Sequence, residues 1–553
     1  MLTRRGMAAV AAAMALVAVL ATPLPLRARA AVTTLLVADV SPLSNDDQLL
    51  FAALEGIVNR SSARIYLLGM RNGQDFATDP TDRLWLHDAV PMATASVTPG
   101  DLLDRFAKSG SKGPVKGLVV WDPALPVDTQ NIATTIAGLY DYLPVSPGQL
   151  TSLTGAPYTQ PVKVDLRGRF TSRAQAYDWA LATYPPPKSS YGLMAWLGGP
   201  RNGNPGQHGL RDFVVAHRGF AFEADPQSEG PLASSILDAF PAETPVFGYP
   251  FFDDPIYEGS RHAVAPGEGF GVGEVSRSGK FLVPSTDSTN LTVHSSFSPM
   301  PQTTPWDDSA ATPDPTKTYV ALLISDGDNL GYNQQALRTL HWDDPDRVTS
   351  TVPVGISVSP WLALYAPRIY DFYVHGLRAN EVLVSGPSGA GYIYPQFHSD
   401  LATYLANTKA RLAFAGLHSQ WILDDGYVSS PSPVITKQYA AALSPTVSAL
   451  FSDYGGYVVT NPPPVSFSNG VPVVHALWGD SVANTVGRVR ASATTYPGRP
   501  AFVLVALSTW GMSYLQAQQV MDQLGTSFVA VRPDRFVGLI KGAYGALAGG
   551  AAS

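Results

Sequence analysis

The chain of 553 residues contains no cysteine. That excludes a disulfide framework, a thiolate nucleophile, a thiolate zinc site and an iron–sulfur cluster. It also excludes lipid attachment through a cysteine. Charge is sparse, at 15% of residues with a net charge of −7. No long basic or acidic run occurs. A negative balance argues against nucleic acid, whose binding rests on neutralising phosphates with Lys and Arg. Glutamate is almost missing from the second half, where Glu381 is the only one beyond residue 317. Two short signatures are absent as well: His-x-x-x-His metal pairs, including His-Glu-x-x-His, and Gly-x-Ser-x-Gly nucleophile elbows. The glycine spacings do not fit Gly-x-Gly-x-x-Gly, and no Gly-Lys-Ser/Thr follows them. No cofactor and no metal set is therefore expected.

Thr3-Arg4-Arg5, an apolar run from Met7 to Ala21 and Ala28-Arg29-Ala30 together read as a signal peptide over residues 1–30. The paired arginines point to the twin-arginine route. The run is too short and too Ala-rich to span a bilayer well, and no later segment reads as a span. The expected location is extracytoplasmic, with no membrane contact once the signal is removed. Gly 49 and Pro 47 imply many turns, and Tyr 24, Phe 22 and Trp 10 make the chain moderately aromatic, a profile that suits a carbohydrate-active protein.

The remaining chain alternates strand and helix patterns. Thr33–Val40, a helical stretch Asn45–Asn59 and Arg64–Leu68 form a strand–helix–strand unit. Similar units continue through Gly117–Trp121, a helix over Asn131–Tyr142, Val162–Leu166, Ala174–Tyr184, Tyr191–Leu197, Phe213–Phe222 and Pro245–Tyr249. Residues 31–298 are read as N-terminal α/β domain(s). A Pro-rich linker follows at 299–316, and 317–545 form a C-terminal (β/α) barrel-like domain before a disordered tail at 546–553. Strands in that domain are expected at Tyr319–Ser325, Val352–Ser357, Glu381–Ser385, Leu412–Gly416, Gly456–Thr460, Val471–Leu477, Ala501–Leu507 and Ser527–Val531. Helices are expected at Leu362–Tyr373 and Asp400–Thr408, with the last over Ser513–Leu524 before Gly525. Each half should bury a core of its own. The fold class is α/β.

Active residues in such folds gather at the C-terminal ends of strands. Ser325-Asp326-Gly327-Asp328-Asn329 ends a buried strand. If it stays extended, Asp326 and Asp328 share a side, about 6.6 Å apart along the strand. Two such carboxylates serve as an acid/base pair or as oxygen ligands; the plainer reading is a turn with a helix cap at Asp328 or Asn329. Ser385 to Pro395 carries three glycines, and Tyr392 and Tyr394 point the same way if extended, as a platform for a sugar face. Other residues on the same rim are Trp361, His398, His418, Trp421, Asp424, Asp425, Trp478, Asp480 and Trp510. Glu381 sits at the start of its strand, on the wrong rim. A partner carboxylate must then be Asp424 or Asp425, or reach in from the first half, where Glu258 and Glu268 lie in a Gly/Pro-rich region. Residues 249–270 are the likeliest N-domain contribution to a junction site.

Gly389-Ala390-Gly391-Tyr392-Ile393-Tyr394-Pro395 resembles the name-giving motif of the GxGYxYP "putative glycoside hydrolase" family. Ser325–Asn329, Pro353–Pro367 and Val531–Phe536 look like further family segments. In the first half, Leu54-Glu55-Gly56-Ile57-Val58-Asn59-Arg60 with Arg64–Leu67 is similar to its N-terminal signature, and Asn290–Ser295 to another. Gly355-Ile356 departs from the family's common Gly-Trp; an aromatic there was expected to line the site. The resemblance implies a secreted hydrolase acting on a poly- or oligosaccharide by carboxylate acid/base catalysis. The resemblance carries no catalytic residues; from the rim positions above, the catalytic candidates are Asp326, Asp328, Asp424 and Asp425, and the glycan would be bound by Asn329, Trp361, Tyr392, Tyr394, His398 and Trp510. Two alternatives stand beside it: a non-catalytic glycan-binding protein, and a metal-dependent hydrolase or lyase with Asp326 and Asp328 as ligands.

Overall fold

The computed structural model describes residues 34–70, 79–109, 113–185, 193–198, 208–250, 266–424, 431–453, 465–496 and 500–545. No helix among the described residues is long and apolar enough to cross a membrane. The fold is mixed α/β, with three small parallel sheets ahead of a nearly closed parallel barrel. The first sheet joins β1 (Leu35–Asp39), β2 (Ile65–Leu68) and β3 (Thr94–Ser96) in the order β2-β1-β3. The second joins β4 (Gly117–Val120), β5 (Tyr142–Val145) and β6 (Val162–Asp165) in the order β5-β4-β6. The third joins β7 (Met194–Trp196), β8 (Phe220–Phe222), β9 (Pro245–Gly248) and β10 (Phe281–Pro284) in the order β10-β9-β7-β8.

The barrel strands are β11 (Thr318–Ile324), β12 (Val354–Val358), β13 (Glu381–Ser385), β14 (Ser419–Ile422), β15 (Ala449–Ser452), β17 (Val471–Gly479) and β18 (Ala501–Leu507). They run in the order β13-β12-β11-β18-β17-β15-β14, and the ring is brought round by one parallel bridge, Pro387 to Trp421. Two further strands join it: β16 (Val465–Ser468) pairs antiparallel with β17, and β19 (Phe528–Ala530) adds to the start of β11. Buried on both faces, the β11 and β18 strands are near-continuous apolar runs. Alternation still sorts their side chains. Tyr319, Ala321 and Leu323 share a core with Val384, Phe451, Leu504 and Ala506 inside the barrel, while Val320, Leu322 and Ile324 face the helix layer.

That helix layer does not stop at the first half. Phe213, Phe247 and Phe281 lie in one apolar cluster with Leu322, Ile324, Trp361 and Tyr365. Phe281 stacks on Trp361 at 5.8 Å, and Phe213 meets Tyr365 edge-on at 5.3 Å. The first half does bury cores of its own around its first two sheets, but its third sheet is not separate: it packs directly on the barrel's outer layer. The Pro-rich stretch is tied down along its length. Gln302 N–H donates to Phe414 O at 2.8 Å, Trp306 Nε1 to Ser448 Oγ at 3.0 Å, and Lys541 Nζ meets Asp308 at 2.6 Å.

The N-terminal motif segments act as staples. Asn59 Nδ2 donates to Thr292 Oγ1 at 3.0 Å, while its Oδ1 accepts from Ile65 N–H at 2.9 Å. Asn290 pairs with Leu67 through both amide atoms, accepting its N–H at 2.6 Å and donating to its carbonyl at 2.8 Å. A side-chain amide thus takes the place of a neighbouring strand on β2 and locks the first sheet to the third.

Several expected elements differ. Leu412–Gly416 is the end of a helix, Leu401–Ala415, which stops at left-handed Gly416. Its apolar run is a helix face: Leu405, Leu412 and Ala415 are buried at helical spacing. The strand lies further on, as β14, and β15 also escaped detection. The stretch Leu362–Tyr373 breaks at Pro367 into two helices, as a proline without an N–H requires. The helix expected over Asn131–Tyr142 runs from Pro126 to Tyr140, and Tyr142 opens β5. Tyr514–Leu524 is not the last helix; Pro533–Ala543 follows. Gly456–Thr460 lies outside the described residues.

Candidate active site

The β11 strand ends at Ile324, and Asp326 takes a left-handed backbone at φ 64. Asp tolerates that region better than most side chains, yet the turn overturns the expectation of one extended run with Asp326 and Asp328 on a single strand face. Gly327 makes the turn possible. A Cβ there would sit 2.0 Å from the Ser357 carbonyl carbon at the end of β12, and its N–H donates to Ser357 Oγ at 2.9 Å. Asn329 supplies the helix cap, accepting Tyr332 N–H at 3.0 Å. Its carboxamide oxygen is committed to that cap, and Asp328 is released from it.

The third sheet contributes the other wall. Helix Pro266–Arg277 carries Glu268, which accepts the Tyr392 hydroxyl at 3.0 Å. Tyr392 and Tyr394 hydroxyls lie 3.4 Å apart. The same helix holds the motif's backbone, since Ser276 Oγ accepts Tyr394 N–H at 3.0 Å. Tyr392 also exchanges backbone hydrogen bonds with Leu282 of β10, at 2.7 and 3.0 Å. Gly391 is required for this approach: at φ 152, a Cβ would stand 2.5 Å from the Phe281 ring. The motif is thus the seam between barrel and third sheet.

Asp326, Asp328 and Glu268 form one electrostatic group. Burial first, then the Glu268 charge, pushes Asp326 up to about 6, against the pull of the Trp510 indole N–H and the Ser325 hydroxyl. Asp328 is held well above the ordinary carboxylate range by burial and by the charges of Asp326 and Glu268. Neither aspartate has a Lys, Arg or His partner among the described residues. The Trp510 indole donates to Asp326 Oδ2 at 2.7 Å and meets Tyr332 edge-on at 5.7 Å. The Trp510 side chain is 50% exposed. No group of three or more His, Cys, Asp or Glu among the described residues is gathered for a metal ion.

Other expected site residues are placed elsewhere. Trp361 is buried between Tyr365 and Phe281, with Arg411 over its ring at 3.6 Å, so it packs and offers no sugar platform. The rings of Tyr392 and Tyr394 are also buried, so they offer no stacking face. His398 is buried at the junction; its Nδ1 accepts Asp400 N–H at 3.2 Å and its Nε2 lies 3.9 Å from Glu243. His418 precedes β14 and stacks on Trp306 at the opposite rim. Trp421 points inside the barrel and donates to Asp453 O at 3.0 Å. Trp478 packs partly buried against the barrel-interior core. Asp480 pairs with Arg488 at 3.5 Å. Asp424 is buried at the end of β14 and accepts Gln396 N–H at 3.2 Å. Asp425 and Glu258 lie outside the described residues. Ile356 faces the helix layer with Val354 and Val358, so an aromatic there would not line the barrel mouth. Glu381, at the N-terminal rim, is bound by Arg347 at 2.6 and 2.8 Å and by Tyr514 at 3.0 Å.

A carboxylate group at the C-terminal mouth of a β/α barrel, completed by a preceding α/β sheet, defines the class. Three family models match in order along this chain: the GxGYxYP_N second domain over 115–187, the GxGYxYP third domain over 193–296, and the "GxGYxYP putative glycoside hydrolase C-terminal domain" over 316–541. The chain belongs to the GxGYxYP family. Its fold is similar to a crystal structure described as a "putative hydrolase" from Bacteroides thetaiotaomicron, with a TM-score of 0.75 and 21% identity over 94% of this chain and 98% of that one. A comparison with curated proteins returned no match.

Proposed function

We propose that this protein is an exported glycoside hydrolase whose catalytic group is Asp328, Asp326 and Glu268. The observation that carries the reading is the joining of three carboxylates, two from the barrel mouth and one from the third sheet's helix, beside an exposed tryptophan. Asp328, whose carboxyl is raised well above the ordinary range by burial and by the Asp326 and Glu268 charges, is the general acid for the leaving oxygen. Glu268, oriented by the Tyr392 hydroxyl, is the opposing base or nucleophile. Asp326 supplies the fixed negative charge that keeps the proton on Asp328 and stabilises an oxocarbenium-like transition state. Neighbouring carboxylates whose environments drive their pKa values apart are the usual basis for this division of roles. Trp510 offers a ring face to a sugar. Export rests on residues 1–30, which lie outside the described residues.

The test is incubation of the mature protein with bacterial and plant glycans, with mass spectrometry of the products. The reading predicts shortened oligosaccharides from wild type and almost none from Asp328→Asn. Release of glycan at equal rates by both would remove Asp328 from catalysis. Binding without product would leave a glycan-binding protein.

A further inference from the structure

We infer that Trp510 is a positioning residue whose indole N–H selects Asp326 as the carboxylate that carries charge, leaving the proton on Asp328. The inference rests on the reading of this group as catalytic, and extends it to how its protons are distributed.

The geometry is specific. An indole N–H only donates, so its hydrogen bond favours the ionised acceptor. Trp510 reaches Asp326 Oδ2 at 2.7 Å, and among the described residues no indole hydrogen bond to Asp328 is present. The left-handed backbone at Asp326 is where the carboxylate leaves the strand direction. Trp510 is braced by the Tyr332 ring at 5.7 Å, and Tyr332 is itself anchored by a hydrogen bond between its hydroxyl and Thr509. The groups facing Asp326 are Ser325 and Asp328 on its own loop, Glu268 from helix Pro266–Arg277, Tyr332 from the following helix and Trp510 after β18. Among them Trp510 and Ser325 are the groups that favour its charge; Glu268 opposes it. Ser325 is the weaker of the two, with its hydroxyl at 3.2 Å. A sugar laid on the exposed indole would shield this hydrogen bond from water and strengthen it, so binding and proton placement are coupled.

The test uses the whole chain labelled with ¹³C at aspartate carboxyl carbons, with Asp326→Asn to assign the resonance. Trp510→Phe keeps a ring and removes the N–H. Its Asp326 midpoint should rise by about one pH unit, and the acidic limb of kcat/KM should move by the same amount. A second readout needs no variant: the Trp510 indole ¹⁵N–¹H resonance of wild type should titrate with the Asp326 midpoint. An unchanged midpoint in Trp510→Phe, or an indole resonance that ignores Asp326, overturns the inference, as does a rate loss equal at every pH. A shifted midpoint in a protein that cleaves no glycan would uphold the proton placement and reject the glycosidase reading.

Discussion

At the residue scale, the group's behaviour turns on charge rather than contact number. Asp326 titrates at about 6, and the scheme needs it charged. Activity should therefore fall as pH drops through about 6, with one protonation on the acidic limb of kcat/KM. A flat profile from pH 5 to 7 would contradict this. Asp326→Asn and Asp328→Asn should each lower kcat at least about a hundredfold, the low end for general acid–base groups, with unchanged circular dichroism. The two aspartates were legible because Ser-Asp-Gly-Asp-Asn follows an apolar run. Glu268 was visible only as one candidate, because Gly267, Gly269, Gly271 and Gly273 around it read as loop. The helix they form instead owes its stability to packing on its neighbours, which low propensity does not reveal. Trp361 misled for the opposite reason: a tryptophan beyond a strand looks the same in sequence whether it faces a ligand or a core.

Elements carry two further consequences. Glu381 opens β13 as one half of a buried bidentate pair with Arg347, whose guanidinium covers Trp342 at 3.7 Å. Glu381→Ala strands the Arg347 charge, and should destabilise by about 3–5 kcal/mol in urea unfolding without altering the site. Glu243, at the junction with helix Leu401–Ala415, is pushed up to about 7 by burial, against the pull of Asn407. The folded protein keeps this proton to about pH 7, while the unfolded chain releases it near 4.5. The stability tied to this group is therefore present below 4.5 and declines as pH rises to about 7. Glu243→Gln removes that decline, so its advantage over wild type should grow by about 3 kcal/mol from pH 4.5 to 8; a constant difference would refute the assignment. The barrel strands with unbroken apolar runs were legible. The β14 and β15 strands were not, because the helix before β14 ends in an apolar stretch of its own that imitates a strand.

On the scale of the whole molecule, the two halves are one packed body. Phe213, Phe247 and Phe281 are buried against barrel helices, and β10 pairs with the family motif. Residues 317–553 expressed alone should expose that face and aggregate or lack a cooperative melt, whereas a soluble, cooperatively folding fragment would show the packing to be dispensable. Alternation of strands and helices revealed the α/β class and the barrel. It did not reveal the core that the third sheet shares with the barrel, because packing between distant segments leaves no local period.

The proposed catalytic group is shared between the halves. This sharing is tested most directly by the turnover of Glu268→Gln on a glycan that the wild-type protein cleaves. If Glu268 is catalytic, kcat falls by at least about a hundredfold with an unchanged melting temperature, since Gln keeps the Tyr392 contact. Turnover within a few-fold of wild type would contradict it and return the chemistry to the barrel alone.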